Sequence, residues 1–129
     1  MPNINDCFVT ILKEAHLKWG SHRHTNSRGI IYGEGYLQIP ASIARSLNIT
    51  NSNSSNNNIY SCSSMDKFLD NVQLKSTGCS RAGDKFAKQF HGKGNLRLLG
   101  GWFDYINAQI GDKVEIKFIS SSKIFLTKL

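Results

Sequence analysis

Cysteine is scarce in this chain and badly placed for cross-linking. Cys7, Cys62 and Cys79 are odd in number and far apart, with no Cys-x-x-Cys pair. That excludes a disulfide framework and a paired-cysteine zinc site, so the thiols are expected to be reduced. His16, His22 and His24 crowd together, but no cysteine or carboxylate stands at a matching ligand spacing, and no metal is expected. No uncharged apolar run is long enough for a membrane span. Met1 to Asp6 has no basic region followed by an apolar one, so a secretory signal is lacking. A cytoplasmic protein with no membrane partner is expected.

Catalytic signatures are missing too. There is no glycine-rich phosphate loop, no Gly-x-Ser-x-Gly elbow and no His-Glu-x-x-His. Glu115-x-Lys117 has the spacing of the carboxylate and lysine of metal-dependent nucleases. It lacks an upstream metal-binding aspartate in context, and both residues fall on the polar face of an alternating strand. The domain itself is therefore expected not to be an enzyme and to need no cofactor.

Acidic residues are also few, nine against sixteen lysines and arginines in 129 residues, for a net charge of +7. The excess is localised. Residues 13–28 hold Lys13, Lys18, Arg23 and Arg28 against Glu14, a net +3. Residues 75–97 hold Lys75, Arg81, Lys85, Lys88, Lys93 and Arg97 against Asp84, a net +5, leaving the rest of the chain slightly acidic. Two basic windows point to a polyanionic partner.

The length suits one domain that can bury a core without staples. Cys7 to Leu12 is rich in β-formers and predicts a first strand. Ser21 to Gly29 has no apolar residue and predicts an exposed loop. Ile30 to Tyr32 and Tyr36 to Ile39 predict short strands divided by Gly33-Glu34-Gly35, and Pro40 opens a short amphipathic helix over 41–47. Residues 50–58, almost all Asn and Ser, have nothing to bury and predict a mobile surface loop. Ile59 to Cys62 predicts a strand. Val72 to Lys75 and Phe86 to Phe90 predict a hairpin around a second basic polar loop at 76–83.

Toward the C-terminus, Gly100-Gly101 breaks the chain, Trp102, Phe103, Tyr105 and Ile106 supply a short apolar turn, and Gly111-Asp112 opens an alternating strand. Val114, Ile116 and Phe118 share one face of that strand, and Lys113, Glu115 and Lys117 the other. It pairs through Ser120 to Ser122 with 123–127. Trp102, Tyr105 and Phe118 belong to apolar patterns and are expected in the core rather than as base-stacking platforms. The fold class expected is mainly β, a seven-stranded open pseudobarrel with two short helices.

Two blocks, Gly35-Tyr-Leu-Gln-Ile-Pro40 leading into a helix and Leu99-Gly-Gly-Trp-Phe103 followed by Ile110-Gly-Asp112 leading into a strand, resemble the B-three DNA-binding domain. Plant transcription factors and the target-recognition domains of some bacterial restriction endonucleases carry it. Each block alone also occurs in swapped-hairpin antitoxin folds, which are much shorter. The segment 87–97 is more similar to the restriction-associated branch. The resemblance implies a pseudobarrel that sends an N-terminal and a C-terminal arm into the DNA major groove, and these arms match, in order, the two basic polar loops.

Duplex reading requires cations for phosphates and forked hydrogen-bonding groups for base edges. Arg23, Arg28 and Arg81 suit guanine, Asn26 suits adenine, and His24, Thr25, Ser27, Ser76 and Thr77 suit base or phosphate contacts. Lys75, Lys85, Lys88 and Lys93 suit phosphates, because a point charge positions a protein without specifying sequence. The expected function is sequence-specific double-stranded DNA binding as the recognition part of a restriction-modification system. A nuclease or NTPase domain or subunit would be its partner, since the last strand runs almost to Leu129 as if a larger protein had been cut there. The alternatives are a free-standing transcriptional regulator, a metal-dependent nuclease subunit and a small-ligand-binding barrel.

Overall fold

A computed structural model describes residues 2–13, 35–79, 83–95 and 97–129. Among them are seven strands and two helices: β1 (Cys7–Ile11), β2 (Leu37–Gln38), α1 (Ala41–Leu47), β3 (Ile59–Ser64), β4 (Val72–Thr77), β5 (Gln89–Gly92), α2 (Leu98–Tyr105), β6 (Lys113–Ser120) and β7 (Lys123–Lys128). The strands form one nearly closed, barrel-like sheet in the order β1-β6-β7-β3-β4-β5-β2. All neighbours are antiparallel except β3 and β7. The mainly β pseudobarrel read from the sequence is the architecture observed. No helix among the described residues is long and apolar enough to cross a membrane.

Strand parity builds the interior. Along β6, Val114, Ile116 and Phe118 are fully buried while Lys113, Glu115 and Lys117 face outward. Tyr60 and Cys62 of β3, Leu74 of β4, Phe90 of β5 and Ile124 and Leu126 of β7 complete the core by the same alternation. Tyr60 meets Phe90 and Phe118 edge to face, with ring centroids 5.5 and 5.8 Å apart. The same alternation leaves Ile119 exposed, and a register shift between Phe118 and Ser120 then ends the regular pairing.

Helix α1 starts after Pro40, whose φ of −57° already suits a helix, and stops where Asn48 turns left-handed at φ 56°. The apolar turn around Trp102 is α2, which runs through Gly100 and Gly101 where the sequence predicts a chain break, and buries Leu99, Gly100, Trp102 and Phe103. Trp102 is wholly enclosed and donates its indole N–H to Asp66 Oδ2 at 2.8 Å. Tyr105 departs from its expected place in the core: it is 60% exposed and stacks on Phe68 with ring centroids 4.6 Å apart. A helix this short has only one buried side, and Tyr105 lies off it.

The two blocks that carry the family resemblance meet in space. A Cβ on Gly35 would stand 2.8 Å from Gly100 N and 2.9 Å from Gly100 Cα, so only a bare backbone fits between β2 and α2. Gly111 and Asp112 shape the turn that leads into β6 and bond it to Leu12, Gly111 N donating to Leu12 O and Leu12 N to Asp112 O, each at 2.8 Å. Gly111 takes φ 94°, and Asp112 Oδ2 accepts the Gln109 N–H at 2.8 Å and pairs with Lys128 at 3.4 Å.

Candidate functional site

Among the described residues the predicted site lies on the loop between β4 and β5. β4 runs two residues further than the sequence suggests, to Thr77, and β5 begins only at Gln89. Phe86, read as a strand residue paired with β4, instead bridges to Thr50. The loop therefore spans 78–88, and it is held in an unexpected way.

The Asn/Ser run supplies the clamp. Thr50 and Asn51 are buried, against the expectation that 50–58 has nothing to bury. Asn51 Nδ2 donates to Gly78 O at 2.7 Å and to Asp84 O at 2.9 Å, so one side-chain amide joins the start of the loop to its returning limb. Asn53 Nδ2 adds a second bond to Asp84 O at 2.9 Å. Asn51 N donates to Lys85 O at 2.9 Å, and Ala87 N to Ile49 O at 3.0 Å, stitching the returning limb to the chain that follows α1. The run also bonds to itself: Asn51 Oδ1 accepts the Asn53 N–H and Asn57 Oδ1 the Ile59 N–H. Local side-chain to backbone bonds of this kind are what Asn offers a turn. Its composition thus serves turn and clamp.

Beyond Ala87 the limb enters the sheet, where Lys88 N donates to Thr77 O at 2.8 Å and Ile39 N to Lys88 O at 2.7 Å. Two glycines permit sharp changes of direction, Gly78 at the loop's start with φ 82° and Gly83 within it with φ 84°. Over this frame lie the cations. Lys85 and Lys88 are exposed on the returning limb. Lys85 Nζ stands 5.3 Å from the Phe86 ring centroid, and Arg45 Cζ of α1 stands 5.2 Å from the same centroid. No ion pair joins Arg45, Lys85 or Lys88 to a carboxylate among the described residues. Asp84, their acidic neighbour, uses Oδ1 to accept the Phe86 N–H at 3.2 Å.

Not every predicted contact residue gathers there. Ser76 is a correction: it is fully buried, and its hydroxyl donates to Thr50 O inside the fold. With β4 extending to Thr77, parity turns Leu74 and Ser76 inward and Lys75 and Thr77 outward. Thr77 is half-buried, with Oγ1 enclosed and unpartnered among the described residues. Lys75 lies on the outer face of β4 opposite His91. Lys93 follows β5 at the far end of the hairpin, where its N–H donates to Gln73 O, roughly 16 Å of strand away from Lys88. Arg23, His24, Thr25, Asn26, Ser27, Arg28 and Arg81 lie outside the described residues, as does the strand predicted at 30–32.

Strand directions relate the two basic segments. β1 and β6 are antiparallel, as are β5 and β2, so the chain leaves β1 and re-enters β2 at the end of the sheet opposite the β4–β5 loop. The outer faces of β4 and β5, with Lys75, Thr77, Gln89 and His91, lie between those ends. Sequence reading missed Arg45, Asn51 and Asn53. The first looked like the polar face of a short helix, and the other two were hidden in low-complexity sequence. No protein-family model matches the chain, and no curated protein matches it.

Proposed function

We propose that this domain binds double-stranded DNA in a sequence-specific way, through the basic segments 21–29 and 75–88, as the target-recognition part of a restriction-modification system. The observation that carries the reading is the clamped β4–β5 loop. One buried amide fixes Gly78 at the start of the loop and Asp84 on its returning limb to the barrel, which anchors a basic segment at this end of the sheet, as duplex recognition requires. The resemblance of the Gly35 to Pro40 and Leu99 to Asp112 blocks to the B-three domain supports the same assignment.

In this reading Arg23, Arg28, Arg81 and Asn26 read bases, with His24, Thr25 and Ser27 beside them, while Thr77, its Oγ1 enclosed, makes no base contact. Lys75, Lys85, Lys88 and Lys93 bind phosphates. Ser76 holds the loop instead of contacting DNA. The domain is a cytoplasmic binding module, with cleavage supplied by a nuclease or NTPase partner, and Glu115 and Lys117 are a solvated strand face.

Mobility shifts on random and selected duplexes at two salt concentrations test this. Arg81→Ala should weaken binding to the selected site by roughly 1–3 kcal/mol and blur one base position. Lys88→Ala should weaken every sequence alike and flatten the salt dependence. Retention of no duplex at low salt would overturn the proposal. Magnesium-dependent plasmid nicking lost in Glu115→Ala would make the domain a nuclease instead.

A further inference from the structure

Between α1 and the returning limb of the β4–β5 loop lies a cleft of about 100 Å³. Its floor is small and apolar, built from Ile39, Ala41, Ala44 and Ala87, while Arg45 and Lys88 stand at its walls. Phe86 forms a further wall and carries two cations against its ring, Arg45 from the helix and Lys85 from its own limb. Two positive side chains from two elements, Arg45 and Lys88, thus line one concavity, and neither is ion-paired to a described carboxylate. Asp84 also lines the cleft, with one carboxylate oxygen taken by the Phe86 N–H.

A site of this size admits a phosphate group, not a base pair. A guanidinium packed on an aromatic ring has fewer conformations to lose, and its planar fork matches two phosphate oxygens. The apolar floor suits the sugar carbons next to a backbone phosphate. We propose that the cleft seats one phosphodiester of the duplex, held between the Arg45 guanidinium and the Lys88 ammonium. The interface then extends from the two loops onto helix α1. This inference rests on the duplex-binding reading and adds to it a residue on an element that neither basic window contains.

The test is fluorescence anisotropy of the full chain with a labelled duplex, selected or random, over a series of salt concentrations. Arg45→Ala should lower the slope of log affinity against log salt by about 0.9 on both duplexes. Arg45→Lys keeps the charge and should keep the slope. Lys113→Gln, which removes a cation at the start of β6, should leave the slope unchanged. Inorganic phosphate added at constant ionic strength should not displace the duplex.

A wild-type slope in Arg45→Ala overturns the inference while duplex binding stands. A slope lost equally in Arg45→Lys assigns the effect to packing on Phe86, and one lost equally in Lys113→Gln assigns it to overall charge. Either result overturns the site. Displacement by inorganic phosphate would make the cleft a site for a free anion and overturn the duplex assignment. If the wild-type protein retains no duplex at low salt, this inference and the functional reading fall together.

Discussion

Asn51 donates from one nitrogen to two carbonyls that stand six residues apart in the chain, and it does so from a nearly dry position. Asn51→Ala leaves Gly78 O without this donor and Asp84 O with Asn53 alone, and should cost roughly 1–3 kcal/mol of stability, read as a lower urea midpoint at unchanged m-value. The same variant should narrow the ratio of cognate to random duplex affinity without changing the salt slope, because no charge is removed. A full cognate preference in Asn51→Ala would deny it a positioning role. Trp102 is the second residue with two duties. Burial pushes the Asp66 carboxyl up, but hydrogen bonds from Ser64 Oγ, Trp102 Nε1 and Phe68 N outweigh it and hold the group below its ordinary value. Trp102→Phe keeps most of the buried ring and removes one of those donors. NMR titration should find the Asp66 pKa moved back toward the ordinary carboxylate range, and an unmoved value would show the indole bond to be dispensable.

At the scale of elements, the contact between β2 and α2 decides which glycines can change. Gly35→Ala drives a methyl into the Gly100 backbone and toward Phe103, and should destabilise by about 1–3 kcal/mol. Gly101→Ala, on the same helix as Gly100, meets nothing closer than the Phe68 ring at 3.9 Å. It should be neutral or stabilising by up to about 1 kcal/mol through helix propensity. Thermal denaturation of the two variants reads the contrast, and equal melting temperatures would remove the close approach as the reason for the glycine. Both glycines stand in motif blocks, so chain order alone weighs them equally. Only the packing of one block on the other separates them.

At the scale of the whole molecule, the two carboxylates depressed among the described residues act in one direction. Asp112 is held below its ordinary value by the Gln109 backbone N–H and by Lys128, and Asp66 by the bonds described above. A carboxylate depressed in the folded state stabilises fully above its unfolded pKa of about 3.9, and that stabilisation fades as pH falls through the lower folded value. Stability should therefore be level in this respect near neutrality and decline below about pH 4. Asp66→Asn with Asp112→Asn should flatten that acid limb, and an unchanged limb would place the acid sensitivity elsewhere. Alternating apolar residues, turn glycines and the Pro40 helix start made the β architecture and α1 legible, because parity and turn chemistry are local properties, whereas Gly100 and Gly101, read as a break, lie inside α2. The position of two basic windows was legible for the same reason, since charge is read directly from the chain. What chain order could not contain was tertiary: that Ser76 faces inward, that Tyr105 faces out, that the Asn/Ser run clamps the β4–β5 loop, and that Arg45 shares a ring with Lys85. Each depends on where a strand stops or on which distant segment packs beside it, and those are settled by long-range burial and hydrogen bonding, which no local pattern records.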